Sequence, residues 1–361
     1  MSGLSREMII HPGETLREVL EERNMSQQEL AKRTDMSGKH ISTVLSGEKG
    51  ISVSFAKKLE YALSIDADFW IRLQSEYEKE IYEFEEHNLI DAKELEIAKT
   101  LSLIYDFLEK HGFIEKTKEP SLRVIELRKF LNISSLVNIP DLAFTGAFRV
   151  QNTSNVDIYK LFAWQKLSET LAQSQEFSFI EKPLQKELLL QNLSEIKKSM
   201  FLPQNQTFEN LQNLFAQCGI CFVITPHFKN VPVQGFIKYI PQKGPFLAMT
   251  LRQKRVDIFW FTLFHEIGHL IQEDEKQRID FDFQQSEERN SSERKADTFA
   301  QNILLNKDDY KNFIQQKDFS LSAIQDFAQK QEVLPCIVIG RLQKENFLSW
   351  KAFKSEMIHY N

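Results

Sequence analysis

Val256-Asp257-Ile258-Phe259-Trp260-Phe261-Thr262-Leu263-Phe264 runs without a break into His265-Glu266-Ile267-Gly268-His269, and Glu293-Arg294-Lys295-Ala296-Asp297 follows downstream. The first run is strongly apolar and reads as a buried helix that carries two histidines into a dry cleft. Residues four apart share one helical face, so His265 and His269 can point at the same ion. Imidazole is a borderline-soft donor that suits Zn2+, and two histidines with one carboxylate leave a coordination position open. Glu266 is rotated off the histidine face, where its carboxylate can serve as base toward a water at the metal. Gly268 costs roughly 1 kcal/mol relative to Ala inside a helix, which predicts close approach by another element.

Glu293 and Asp297 are also four apart, with Ala296 and Ala300 allowing tight helix packing. Glu293 is placed to be the third ligand. Asp297 would then accept the free ring N–H of a ligating histidine and fix its tautomer. The competing reading is a solvated acidic helix, and Glu287 and Glu288 are weaker ligand candidates in the same charged stretch.

The segment from Phe261 to Leu270, taken with Glu293, Ala296, Asp297, Phe299 and Ala300, resembles the ImmA/IrrE family of zinc metallopeptidases. The resemblance implies His265, His269 and Glu293 as ligands, Glu266 as the base, a zincin-like fold and proteolysis of a transcriptional repressor. Strand-like pieces upstream agree with it: Ile220 to Ile224, Val233 to Ile237 and Pro245 to Met249. The stretch Pro335 to Gln343 is similar to the family's C-terminal helix. Asn306 departs from the family, which often has a proline there.

A chain of 361 residues has room for two or three domains, and its 42% hydrophobic content fits a globular protein. No apolar run approaches the ~18 residues of a membrane span. The N-terminal residues lack a signal-peptide core, and three cysteines suit reduced thiols, so a cytoplasmic protein is expected. Cys218-Gly219-Ile220-Cys221 has no second pair and reads as buried cysteines at the head of a strand.

Residues 14–73 read as a series of short helices. Ser26-Gln27-Gln28-Glu29 is a capping box, and Ser37 caps a second helix with Ile41, Val44 and Leu45 on its apolar face; Gly47 ends it. Two short helices joined by a tight turn make a helix-turn-helix, against the plainer reading of a small helical bundle. Lys39, His40, Ser42 and Thr43 are polar and face away from the core of the second helix. Residues 32–58 hold six cations against Asp35 and Glu48, although the whole chain is at −6, so DNA affinity must come from this local patch.

The stretch from His11 to Glu48, followed by Ala67 to Gln74, resembles HigA-type antitoxins of the Xre-like repressor family. That resemblance implies that Gln27, Lys39, His40 and Thr43 face the major groove. Lys39 would pair with guanine and Gln27 would bridge a phosphate and a base. Gly38 departs from the longer polar residue often found there.

From Glu76 to Glu86 six Glu stand against one Lys, a solvated helix face joining two domains. Residues 92–200 are mainly helical by period, for example at Leu95, Ala98, Leu101, Leu103, Ile104 and Phe107. The segment Phe130 to Leu136 fits the connector of proteins that fuse a repressor-like head to an ImmA/IrrE peptidase. The expected fold is mainly α with a small β-sheet (α+β). Its expected parts are a helix-turn-helix domain over 1–75, a helical connector over 76–203 and a zinc metallopeptidase domain over 204–361.

The expected function is a DNA-binding regulator, a homodimer on double-stranded operator DNA, whose peptidase cleaves a regulatory protein or itself. The alternative is an antitoxin or autorepressor with a toxin partner, in which zinc is structural or sensory. No residue stands out to stabilise an oxyanion; His227 and Tyr239 lie near the strands.

Overall fold

The computed structural model describes residues 6–145, 156–174, 183–239, 244–272, 277–281 and 291–361. The chain divides into two compact units, one of Met1–Leu95 with Thr117–Ile125 and one of Glu96–Lys116 with Glu126–Asn361. The fold is mainly α with a small mixed sheet, in the α+β class. No helix of the described residues is long and apolar enough to cross a membrane.

The first unit is built from α1 (Pro12–Glu22), α2 (Gln27–Thr34), α3 (Gly38–Leu45), α4 (Val53–Leu63) and α5 (Ala67–Leu89). Serine caps start three of them: Ser26, Ser37 and Ser52 accept from the backbone N–H of Glu29, His40 and Phe55. Each cap satisfies an amide that the first helical turn leaves without a partner. Gly47 takes φ +77° just past α3, a left-handed conformation that suits glycine. Leu16, Leu30, Ile41, Val44, Phe55, Leu59 and Trp70 close one apolar core. The acidic run Glu76 to Glu86 is the second half of α5, continuous with the turn that Asp66 caps.

Helices α6 (Ala92–Thr100), α7 (Ser102–Lys110), α8 (Pro120–Leu131) and α9 (Ile139–Thr145) follow, then α10 (Ile158–Gln173), α11 (Lys186–Lys198) and α12 (Gln204–Gln217). The helical period expected here is met by two helices, α6 and α7, which meet at Leu101. Leu101 is buried there, while Leu103 faces solvent.

The sheet has the order β1-β3-β2-β4, from β1 (Cys221–Thr225), β2 (Val233–Tyr239), β3 (Pro245–Thr250) and β4 (Gln277–Phe281). β1 and β3 are parallel; β2 pairs antiparallel with β3 and with β4. Alternation sorts the side chains to two faces. Phe222, Ile237, Leu247 and Met249 join the main core, whereas Phe236 packs against Phe246 and Trp164 of α10. Covered on both faces, β3 is buried along its whole length. Cys218 forms the C-cap of α12 rather than the head of a strand, and Cys221 opens β1; Cys218, Cys221 and Cys336 are all free thiols.

The helix α13 (Val256–Gln272) crosses this core, followed by α14 (Ser291–Leu304), α15 (Lys307–Gln316), α16 (Leu321–Lys330) and α17 (Pro335–Lys344). Residues Thr262 to Leu270 of α13 are all buried. The chain's last residues strap the start of α13: Val256 N–H donates to Ile358 O at 3.0 Å and Tyr360 N–H to Lys254 O at 2.7 Å.

Candidate metal centre and nucleic-acid interface

α13 and α14 make the tightest helix pair around the site. A Cβ built on Gly268 would stand 3.1 Å from Ala296 Cα and 3.3 Å from Phe299 Cδ1, so glycine and alanine let the two backbones approach. That approach brings one face of α14 onto the histidine face of α13. His265 Nε2 lies 3.1 Å from His269 Nε2 and 3.4 Å from Glu293 Oε2; His269 Nε2 lies 4.0 Å from the same oxygen.

These atoms form a possible metal-binding group, His265, His269 and Glu293. The geometry fits one ion: bonds of 2.0–2.1 Å to a tetrahedral ion imply donor separations of about 3.3 Å. Both histidines are buried, so their Nε2 atoms converge out of bulk water. A cation bound between them would take a lone pair from each ring.

The outer ring nitrogens are held as well. His265 Nδ1 is 2.9 Å from Asp297 Oδ1. A ring that presents its Nε2 lone pair to the group must donate from Nδ1, and the carboxylate accepts. His269 Nδ1 is 3.3 Å from Ser292 Oγ. Glu266 is fully buried and stands apart from the three converging atoms. Its carboxylate lies over Gly235 of β2, where an added Cβ would come within 2.3 Å of Oε1. The register between β2 and β4 shifts at Val233/Gly235, a local irregularity of the kind that re-aims strands beside functional sites.

Gly235 and Ser292 were not anticipated from the sequence. An interior strand glycine is a signal for close backbone approach; a lone serine beside Glu293 carries no such signal. Glu287 and Glu288 lie outside the described residues. His227 is exposed on the loop after β1 and Tyr239 ends β2, and neither lines the cavity at the site.

That cavity, of about 420 Å3, opens on His265, Glu293 and Asp297. α13 lends Asp257, Phe261 and His265 to its wall, and α14 lends Glu293, Asp297 and Gln301. Ile337, Arg341 and Lys344 of α17 add to it, with Arg255 ahead of α13 and Glu345 and Trp350 from beyond α17. In each helix these positions recur three, four or eight apart, so each presents a single face.

In the first unit, Gln27, Lys39 and Ser42 are exposed, Gln27 at the first position of α2 and the other two on α3. His40 and Thr43 lean inward. The His40 ring meets Phe55 edge-on at 5.0 Å, and Thr43 Oγ1 turns back to donate to His40 O at 2.9 Å. Burial holds the His40 pKa below its ordinary value, and Lys49 and Lys58 add to that effect. α3 therefore presents Lys39 and Ser42 more openly than the other two.

Residues 16–70 match the helix-turn-helix family, and residues 249–334 match the peptidase M78 family described as the IrrE N-terminal-like domain. The chain is similar to Virulence-associated protein A' of Dichelobacter nodosus, with 33% identity over 69 residues. The matched stretch is 19% of this chain and 60% of that protein's length. A solved structure of an addiction module antidote protein of a HigA family from Coxiella burnetii matches 30% of this chain and 95% of its own, with 25% identity and a TM-score of 0.20. The chain thus carries a helix-turn-helix domain at its N-terminal end and an IrrE N-terminal-like peptidase domain toward its C-terminal end.

Proposed function

From one chain that joins a helix-turn-helix domain to an IrrE N-terminal-like domain, we propose a transcriptional regulator that binds operator DNA and hydrolyses a regulatory protein with a zinc-dependent endopeptidase. In this reading residues 1–75 bind DNA, 76–203 connect, and 204–361 carry the hydrolysis. The observation that carries the proposal is the convergence of His265 Nε2, His269 Nε2 and Glu293 Oε2, on a helix whose Glu266, next to His265 in sequence, is also buried.

His265, His269 and Glu293 would hold Zn2+, the ion that a two-imidazole, one-carboxylate set suits. When bound there, such an ion supplies Lewis acidity toward a water and a peptide carbonyl. Glu266 takes the proton of the attacking water and returns it to the leaving amine nitrogen. Asp297 keeps His265 in the tautomer that offers Nε2, and Ser292 faces the outer nitrogen of His269. Gln27, Lys39, His40, Ser42 and Thr43 form the DNA-facing set, with Lys39 and Ser42 foremost because they are exposed on α3. A dimer on DNA, in the cytoplasm where operators lie, completes the reading.

Wild-type protein and Glu266→Gln are co-expressed with the proteins encoded beside the gene, followed by intact-mass and metal analysis. The proposal expects a shortened regulator only with wild type, and zinc retained by both. Equal cleavage by Glu266→Gln rules out the base. An uncleaved small partner that co-purifies with wild type replaces the protease reading with that of a binding protein.

A further inference from the structure

The cavity continues well beyond the candidate metal centre, and its far end differs in chemistry from its near end. Asp257 and His265 lie on one face of α13, eight residues apart, which is about 12 Å along a helix axis. An extended peptide advances about 3.3 Å per residue. A peptide bond at the metal centre therefore leaves three or four residues before the chain reaches the level of Asp257.

At that level the wall is cationic and held in place. Arg255 donates to Asp257 from Nε at 3.0 Å and from Nη2 at 2.7 Å, and to Gln343 Oε1 at 3.2 Å. Its guanidinium also stands 5.4 Å from the Trp350 ring centroid. Arg341 is fixed by Glu345 at 2.9 Å and stacks 3.9 Å over the Tyr310 ring. Lys344, exposed one helical turn beyond Arg341, has no carboxylate partner among the described residues. Apart from Glu293 and Asp297 at the metal centre, the three cations Arg255, Arg341 and Lys344 of this wall face two carboxylates, Asp257 and Glu345, although the chain as a whole carries −6. Cations in the last turn of α17 also suit the helix dipole, but that leaves the charge of Lys344 unmatched by any carboxylate of the described residues.

We infer that the far end of the cleft is a carboxylate-selecting subsite: the peptide it accepts carries an Asp or Glu three or four residues from the bond to be cleaved. Lys344 pairs with that side chain, while Trp350, 56% exposed, offers an apolar surface to a neighbouring residue. This inference rests on the peptidase reading for its alignment of the peptide and on the cavity wall for its charge preference.

The test uses full-length Glu266→Gln protein loaded with zinc and blocked-end decapeptides of one apolar background. Glu, Gln or Lys is placed in turn at each position. The inference expects the best Glu peptide to bind at least five-fold more tightly than its Gln counterpart, with the Lys peptide weakest. That order should weaken in 0.5 M salt, flatten in Lys344→Ala and reverse in Lys344→Glu, with melting curves confirming that both variants are folded. Equal binding of the three peptides, an unchanged order in Lys344→Glu, or no binding of any peptide overturns it. Wild-type protein incubated with the best peptide separates the two readings: an intact peptide with the Glu preference preserved leaves the subsite standing and removes the protease.

Discussion

Gly235 and Glu266 share a space that only a residue without a side chain leaves open, since a Cβ on Gly235 would stand 2.3 Å from Glu266 Oε1 and 2.7 Å from its carboxyl carbon. The strand backbone is fixed by pairing with β3, where Gly235 sits opposite Met249, so the carboxylate must give way rather than the strand. Gly235→Ala is expected to destabilise by about 1–3 kcal/mol, the usual cost of overpacking a filled site. In a Glu266→Ala background most of that cost should vanish, which a double-mutant cycle of melting curves measures. Additive losses would show that the two residues do not share the space.

The 2.9 Å contact between His265 Nδ1 and Asp297 Oδ1 makes a second prediction. Asp297→Asn keeps the shape but removes the charged acceptor, so zinc affinity should fall roughly 10- to 100-fold, as for other carboxylates behind metal-binding imidazoles. Competition with a chromogenic chelator reads this directly. An unchanged affinity would remove Asp297 from the site.

Trp260 Nε1–H donates to Tyr360 OH at 3.0 Å inside the main core. Burial pushes the Tyr360 phenol up to about 12, so it stays protonated at working pH. Tyr360→Phe leaves a buried indole N–H without its acceptor, at a cost of about 1–3 kcal/mol. Thermal unfolding of the full chain tests this, and an unaltered melt would count against the strap as a stabilising element.

The pH dependence of the first unit follows from His40. Its pKa lies below the ordinary 6.5, by burial first and then by Lys49 and Lys58. The unfolded chain therefore binds the proton before the folded one does, and stability declines as pH falls through 6.5. The decline ends below the folded pKa. Amide exchange over α3 and α4, corrected for intrinsic rates, should show lower protection at pH 5.5 than at 7.5, with a smaller difference in His40→Gln. Burial shifts His11 in the same direction, so some pH dependence remains in that variant.

Much of this architecture is legible in local patterns. The Ser26 and Ser37 caps, the apolar positions of α3 and the glycine after it are short-range signals, and each forms the feature its residues dictate. Gly268 announces a close neighbour, and Ala296 and Phe299 are that neighbour. The strands β1 and β2 lie where β-branched and aromatic residues cluster, and β3 in the apolar run from Pro245 to Met249. β4, Gln277–Phe281, has no comparable apolar run and exists through its pairing with β2. His40 and Thr43 carry polar side chains, yet packing against Phe55 and a bond back to the helix backbone draw them inward.

The sequence by itself determined the helix that bears His265 and His269, because a spacing of four residues and an apolar period are properties of one local helix. It also determined a second helix able to offer Glu293 and Asp297 on one face. Only the tertiary structure decided which histidine nitrogen meets which carboxylate, that Gly235 makes room for Glu266, and that α17 extends the cleft with Arg341 and Lys344. Those relationships join residues some 30 to 80 positions apart. Helical period sets the direction of a side chain about its own axis, but the meeting of two such faces depends on how backbones pack at glycine and alanine contacts.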